Sequence, residues 1–81
     1  MQIDVIFFGR LKSDTQVKQV RLKLKGGENI LALEAELARR YPALQAQFSS
    51  IAYAANDQLV SKQYQLQEND QIALLPPVSG G

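Results

Sequence analysis

Residues 71–81 read QIALLPPVSGG. An apolar run from Ile72 to Leu75 meets two prolines and then two glycines. Proline has no N–H to give to a sheet ladder, so Pro76 ends the strand. A near-continuous apolar run suits a central strand. A second such run, VIFF at residues 5–8, lies close to the start. In QIDVIFFG (2–9), Ile3, Val5 and Phe7 fall on one face, and Asp4, Ile6 and Phe8 on the other. A period of two with β-branched and aromatic residues is a strand. These two runs are expected side by side at the centre of one sheet.

The remaining elements are arranged around that pair. VKQVRLKLKGG (17–27) alternates, with Val20, Leu22 and Leu24 inward and Arg21, Lys23 and Lys25 in water; Gly26 and Gly27 stop it. GRLKSDTQ (9–16) carries Gly9, Ser13 and Asp14 and reads as a loop. NILALEAELARRY (29–41) is a helix. Asn29 caps it, Ile30, Leu33 and Leu37 recur at helical spacing, and Leu31 and Tyr41 flank that stripe. Glu34 and Glu36 are expected on the opposite side. Arg39 and Arg40 suit the C-terminal dipole, and Pro42 ends the element. PALQAQFSS (42–50) reads as a short second helical turn with Leu44 and Phe48 inward. IAYAAN (51–56) and LVSK (59–62) are short strands about the turn at Asn56 and Asp57, and Glu68–Asp70 is a second turn.

The order β-β-α-(short helix)-β-β-β makes a two-layer α+β domain. A β-grasp, ubiquitin-like topology with about five strands in a mixed sheet fits it best. The first two strands form a hairpin, the helix crosses the sheet, and the last strand returns parallel to the first. The domain is expected over residues 1–75, with an extended tail over 76–81.

Composition narrows the chemistry. The chain has 81 residues, 46% of them apolar, enough for one thin core. A chain this short buries only about 60% of the surface its unfolded form exposes. The net charge of +1, nine Lys and Arg against eight Asp and Glu, provides no long-range field for nucleic acid or an anionic membrane. There is no cysteine and no histidine, so the chain has no thiol nucleophile and lacks the usual general base. Sulfur or acid–base chemistry therefore needs groups from outside. MQIDVIFFGR has no basic stretch before a short apolar run, and no segment reaches the ~18 apolar residues of a membrane span. A cytoplasmic location is expected, without nucleic-acid or membrane partners.

The tail then has a physical reading. Pro76 to Gly81 extend at most about 20 Å. Pro76 and Pro77 stiffen the base, and Gly80 and Gly81, without side chains, can enter a narrow slot. Mobility is expected beyond Pro77. The reactive atom would be the carboxyl carbon of Gly81. A carboxylate is a poor electrophile; activation as an acyl-adenylate makes it attackable. A sulfur donor would then leave a thiocarboxylate, and an amine would leave an amide.

LLPPVSGG at the end, with VIFFGRL near the start and NDQLVSKQYQLQENDQIALLPPVSGG, resembles the sulfur-carrier (small) subunits of molybdopterin synthase. These are the MoaD type of the MoaD/ThiS ubiquitin-like family. The likeness covers nearly the whole chain and is most specific in the tail. It implies that Gly81 is adenylated by a ubiquitin-activating-type adenylyltransferase using ATP and Mg²⁺, with no cofactor or metal bound by the chain itself. An external donor then makes the thiocarboxylate. The large synthase subunit receives the tail (Pro76, Pro77, Val78, Ser79 and Gly80) in a heterotetramer, where sulfur passes to cyclic pyranopterin monophosphate to form molybdopterin. The catalytic side chains belong to the large subunit, so the chain is a carrier rather than a catalyst. Phe8, Leu59 and Leu75 fall where family members carry an apolar partner-binding patch. Many members have aromatics in place of Leu74 and Leu75, and Thr in place of Ser79. The alternatives are a carrier for thiamine or another thio-product, a protein modifier conjugated through Gly81, and an interaction module with an inert tail.

Overall fold

The computed structural model describes residues 1–77. The strands are β1 (Gln2–Phe7), β2 (Gln19–Lys23), β3 (Ala52–Ala55), β4 (Gln58–Val60) and β5 (Gln71–Leu75). The helices are α1 (Arg10–Thr15) and α2 (Ile30–Arg40), and Pro42–Ser50 forms a 3₁₀ stretch. The sheet order is β2-β1-β5-β3-β4. β1 runs antiparallel to β2 and parallel to β5, pairing Val5 with Ile72 and Phe7 with Leu74. This is the β-grasp arrangement, and the two apolar runs are its adjacent central strands.

Alternation assigns the faces. Ile3, Val5 and Phe7 of β1, Leu22 of β2, Tyr53 of β3, and Ile72 and Leu74 of β5 are buried with Ile30, Leu33 and Leu37 of α2. Leu11, Leu44 and Leu66 close the same core. The Asn29 side chain accepts a hydrogen bond from the Ala32 N–H, as its capping role requires. At the other end the Tyr41 N–H donates to the Leu37 carbonyl before Pro42 leads into the 3₁₀ stretch. Arg40 and Arg39 both bond to Glu36, which holds its carboxyl below the usual carboxylate range. Tyr41 also meets Phe7 edge-on, with ring centroids 5.5 Å apart.

Two expectations are corrected. Residues 10–15 form α1 rather than a loop. Of these six residues only Leu11 is buried, so no periodicity marks a helix, and its packing beside the 3₁₀ stretch settles the conformation. Phe7 and Gln19 are thus joined through a helix, although β1 and β2 pair as expected. Glu34 lies toward the core instead of opposite to it, at 9% exposure. It stands four residues after Ile30 and three before Leu37, on the inward flank. Its carboxylate accepts from the Tyr53 hydroxyl at 2.5 Å and pairs with Lys62 Nζ at 3.0 Å. Partners of this kind are what allow a carboxylate to be buried. Burial first, and the bond to Glu34 second, push the Tyr53 hydroxyl pKa upward.

The turns that deliver β5 are polar and saturated. Asn56 and Asp57 take φ of 50° and 73°, the two-residue turn that matches strand twist. Asn56 then accepts from the Gln71 N–H, and its own N–H donates to the Gln71 carbonyl. Asp70, 5% exposed, accepts from Asn56 Nδ2, the Tyr64 hydroxyl and the Gln67 N–H at 2.7–2.9 Å. Burial alone would raise the Asp70 carboxyl, but these donors hold it below its ordinary value.

A lowered folded pKa means stabilisation that is present above the ordinary aspartate value and is lost as pH falls through the lowered one. Urea unfolding followed from pH 7 to pH 2 is therefore expected to show an acid loss of stability. Asp70→Asn should cost about 1–3 kcal/mol at pH 7 and flatten that acid limb.

Candidate functional site

The helices cover one face of the sheet and leave the other open. Register places the outward residues in rows. Ile6 faces Ala73, Ala73 faces Ala54, and Ala54 faces Leu59. In the next row Ala52 faces Leu75. The Phe8 N–H donates to the Leu74 carbonyl at 3.2 Å, which sets Phe8 beside Leu75. This end of the open face is apolar. Its alanines keep it flat between two protruding side chains, Phe8 at 44% and Leu59 at 75% exposure. Phe8 and Leu59 stand three inter-strand steps and two residues along the strands apart, about 16 Å between backbones.

The other end of the same face is polar. Arg21 Nη1 bonds to Asp4 at 2.9 Å, and Nη2 to Asn69 at 2.9 Å. Nε bonds to the Gln2 side chain. These groups satisfy one another, so their end of the face is a closed polar network. The apolar end is the one from which the chain leaves β5. Pro76 is half-buried and packs against the turn at Gly9, and Pro77 is exposed.

The candidate residues therefore divide in two. Phe8, Leu59 and Leu75 share one face and one end of the sheet, with Leu75 half-buried between the two exposed side chains. Pro76 and Pro77 continue from Leu75. Val78, Ser79, Gly80 and Gly81, with the mobility expected beyond Pro77, lie outside the described residues. Sequence reading missed Gly9 as a neighbour of the tail; its position after an apolar strand was the available signal. Among the described residues, no group of three or more His, Cys, Asp or Glu side chains is placed to hold a metal, and no helix is long and apolar enough to cross a membrane. A shallow groove of about 510 Å³ lies at the opposite end of β2, bordered by Lys23, Lys25, Glu28 and Arg39, away from Pro76.

A fold of this kind, with an apolar exit end and a Gly-Gly terminus, can be compared with known proteins. The model of the ThiS family matches residues 5–81, the whole tail included. The chain belongs to this family. Members are sulfur carriers of the MoaD/ThiS group, and the chain is a non-catalytic carrier of that group. It is 30% identical over 81 residues to the molybdopterin synthase sulfur carrier subunit of Arabidopsis thaliana, covering 100% of this chain and 84% of that one. SAMP1 from Haloferax volcanii superposes with a TM-score of 0.89 at 22% identity, with both chains fully covered. That likeness shows the fold. A protein–protein complex of subunits 1 and 2 of the molybdopterin-converting factor from Helicobacter pylori contains a chain 30% identical to this one. Its TM-score is 0.72, and both chains are fully covered.

Exposure separates the family carrier's open face from its core. Phe8→Asp and Leu59→Asp should leave urea unfolding within about 0.5–1 kcal/mol of the parent, as surface changes do. Leu74→Asp, which buries an unpaired charge between β1 and β3, should abolish the cooperative transition. A Leu59→Asp chain that unfolds would place Leu59 in the core.

Proposed function

We propose that this sulfur carrier is the small subunit of molybdopterin synthase, with Gly81 as the loaded residue. The observation that supports this most strongly is the continuity between the apolar end of the open face and the chain leaving β5. A partner seated on Phe8, Leu59 and Leu75 lies beside the base of the tail and is within about 20 Å of its tip. The 30% identity with the Arabidopsis subunit, over the whole of this chain, supports molybdopterin over other thio-products.

In this reading the Gly81 carboxylate attacks the α-phosphate of ATP on an activating enzyme of the adenylyltransferase type. Pyrophosphate leaves, and the carboxyl carbon becomes an acyl-adenylate. The Mg²⁺ belongs to that enzyme. A sulfur donor adds to the carbonyl carbon, AMP departs, and the thiocarboxylate results. The chain has no cysteine, so no internal thiol competes for the activated carbonyl. Inside the large subunit the terminal sulfur bonds to a carbon of the pterin precursor as an oxygen substituent leaves that carbon, and a second loaded chain delivers the second sulfur in the same way. Water then cleaves the carbon–sulfur bond at Gly81, and the carboxylate returns for another cycle. Pro76 and Pro77 hold the base in a limited set of directions, Val78 and Ser79 line the passage, and Gly80 lets the tip enter. Two small subunits at the ends of a large-subunit dimer make the heterotetramer, a cytoplasmic assembly.

The test is reconstitution with the large subunit and cyclic pyranopterin monophosphate. Thiocarboxylated protein should form molybdopterin. Deletion of Gly80 and Gly81 should reduce synthesis to background while the unfolding transition stays unchanged. Phe8→Asp should weaken assembly by about 2 kcal/mol or more, the scale of an interface hot spot, or roughly 30-fold in Kd. Normal synthesis by the truncated chain contradicts the reading. Recovery of Gly81 in amide-linked conjugates, with no transfer to the pterin, would make the protein a modifier.

A further inference from the structure

The turn after β1 carries a backbone conformation that core packing does not explain. Gly9 takes φ 56° and ψ −135°, a combination open to glycine and strained for residues with a Cβ. It is the second residue of a turn closed by the Leu11 N–H on the Phe8 carbonyl at 3.1 Å. The Lys12 N–H on the Gly9 carbonyl, also 3.1 Å, begins α1. The Phe8 N–H ties this turn to β5 through the Leu74 carbonyl. The bare side of Gly9 faces Pro76. A methyl built there would lie 3.0 Å from Pro76 Cγ and 3.8 Å from Cδ. The first distance is well inside the ~3.5–4.0 Å of a comfortable carbon contact.

We propose that Gly9 is a positioning residue for the tail: a side-chain-free shelf on which the Pro76 ring rests, setting the direction in which the chain leaves the sheet. The proposal rests on the sulfur-carrier reading. The ring cannot give way freely, because its φ is fixed and β5 holds it from one side. Pro76 is thus seated beside Phe8 before any partner arrives, and Pro77, which is exposed, is the first residue beyond the shelf. The seat sets the direction in which Pro77 starts relative to the surface that Phe8 presents.

Three variants test this: Gly9→Ala, Pro76→Ala, and the two together. Each is read at a temperature where it is folded, for sulfur transfer at saturating large subunit and for affinity of the unloaded chain. Gly9→Ala is expected to slow transfer about tenfold, as displacement of a reacting group by a fraction of an ångström can, with affinity changed less than twofold. Removing the ring should relieve the clash, so the double variant should regain most of that loss. Equal slowing with proline or alanine at 76 would show turn strain alone and overturn the proposal, as would Gly9→Ala transferring at the parent rate. If Gly9→Ala fails to fold, Pro76→Gly reports the same contact from the other side, and unchanged transfer overturns it. A parent chain that transfers no sulfur defeats the functional reading instead. Unfolding of the four chains then decides the contact, and additive effects of the two substitutions would refute it.

Discussion

The parallel pairing of β1 with β5 is the constraint on which the rest of the molecule depends. Val5 against Ile72 and Phe7 against Leu74 place two apolar strands at the centre of the sheet, where their inward side chains meet α2. Parallel neighbours finish at the same end of a sheet. The last strand must therefore release the chain where β1 also ends, beside Phe8 and Gly9. The point at which the chain leaves the sheet is a consequence of topology.

The sheet's two faces then do different work. The inner face carries the cohesion of a thin domain, and its few polar groups are paired: Glu34 with Tyr53 and Lys62, Asp70 with Asn56, Tyr64 and the Gln67 backbone. The outer face is split. Arg21, Asp4, Asn69 and Gln2 satisfy one another at one end, while Phe8, Leu75 and Leu59 remain without polar cover at the other. Among the described residues of this face, apolar contact is offered at the exit end. In the proposed function, the docking surface and the base of the tail thus share one end of the sheet without a cavity, which a chain of this size has little room to enclose.

Much of this was legible in the residues. Period-two alternation marked β1 and β2, the Ile30–Leu33–Leu37 spacing and Asn29 marked α2, and VIFF with IALL identified the central pair. What stayed hidden depends on contacts between distant segments. α1 has one buried side chain, and its helical state is decided by its neighbours. Glu34 reads as a surface carboxylate until Tyr53 and Lys62, 19 and 28 residues away, are brought against it. Gly9 reads as ordinary turn chemistry until Pro76 is laid on it. Leu75 has the pattern of a central strand, and only the open second face leaves it half-buried.

In the proposed function the terminal carbonyl of Gly81 is loaded with sulfur. The most direct test of this loading is the intact mass of the chain isolated from cells with a working sulfur supply. A species heavier by the difference between one sulfur and one oxygen atom is expected, with fragmentation placing the change on Gly81. Only the unmodified mass, in cells that load other carriers of the family, would contradict it.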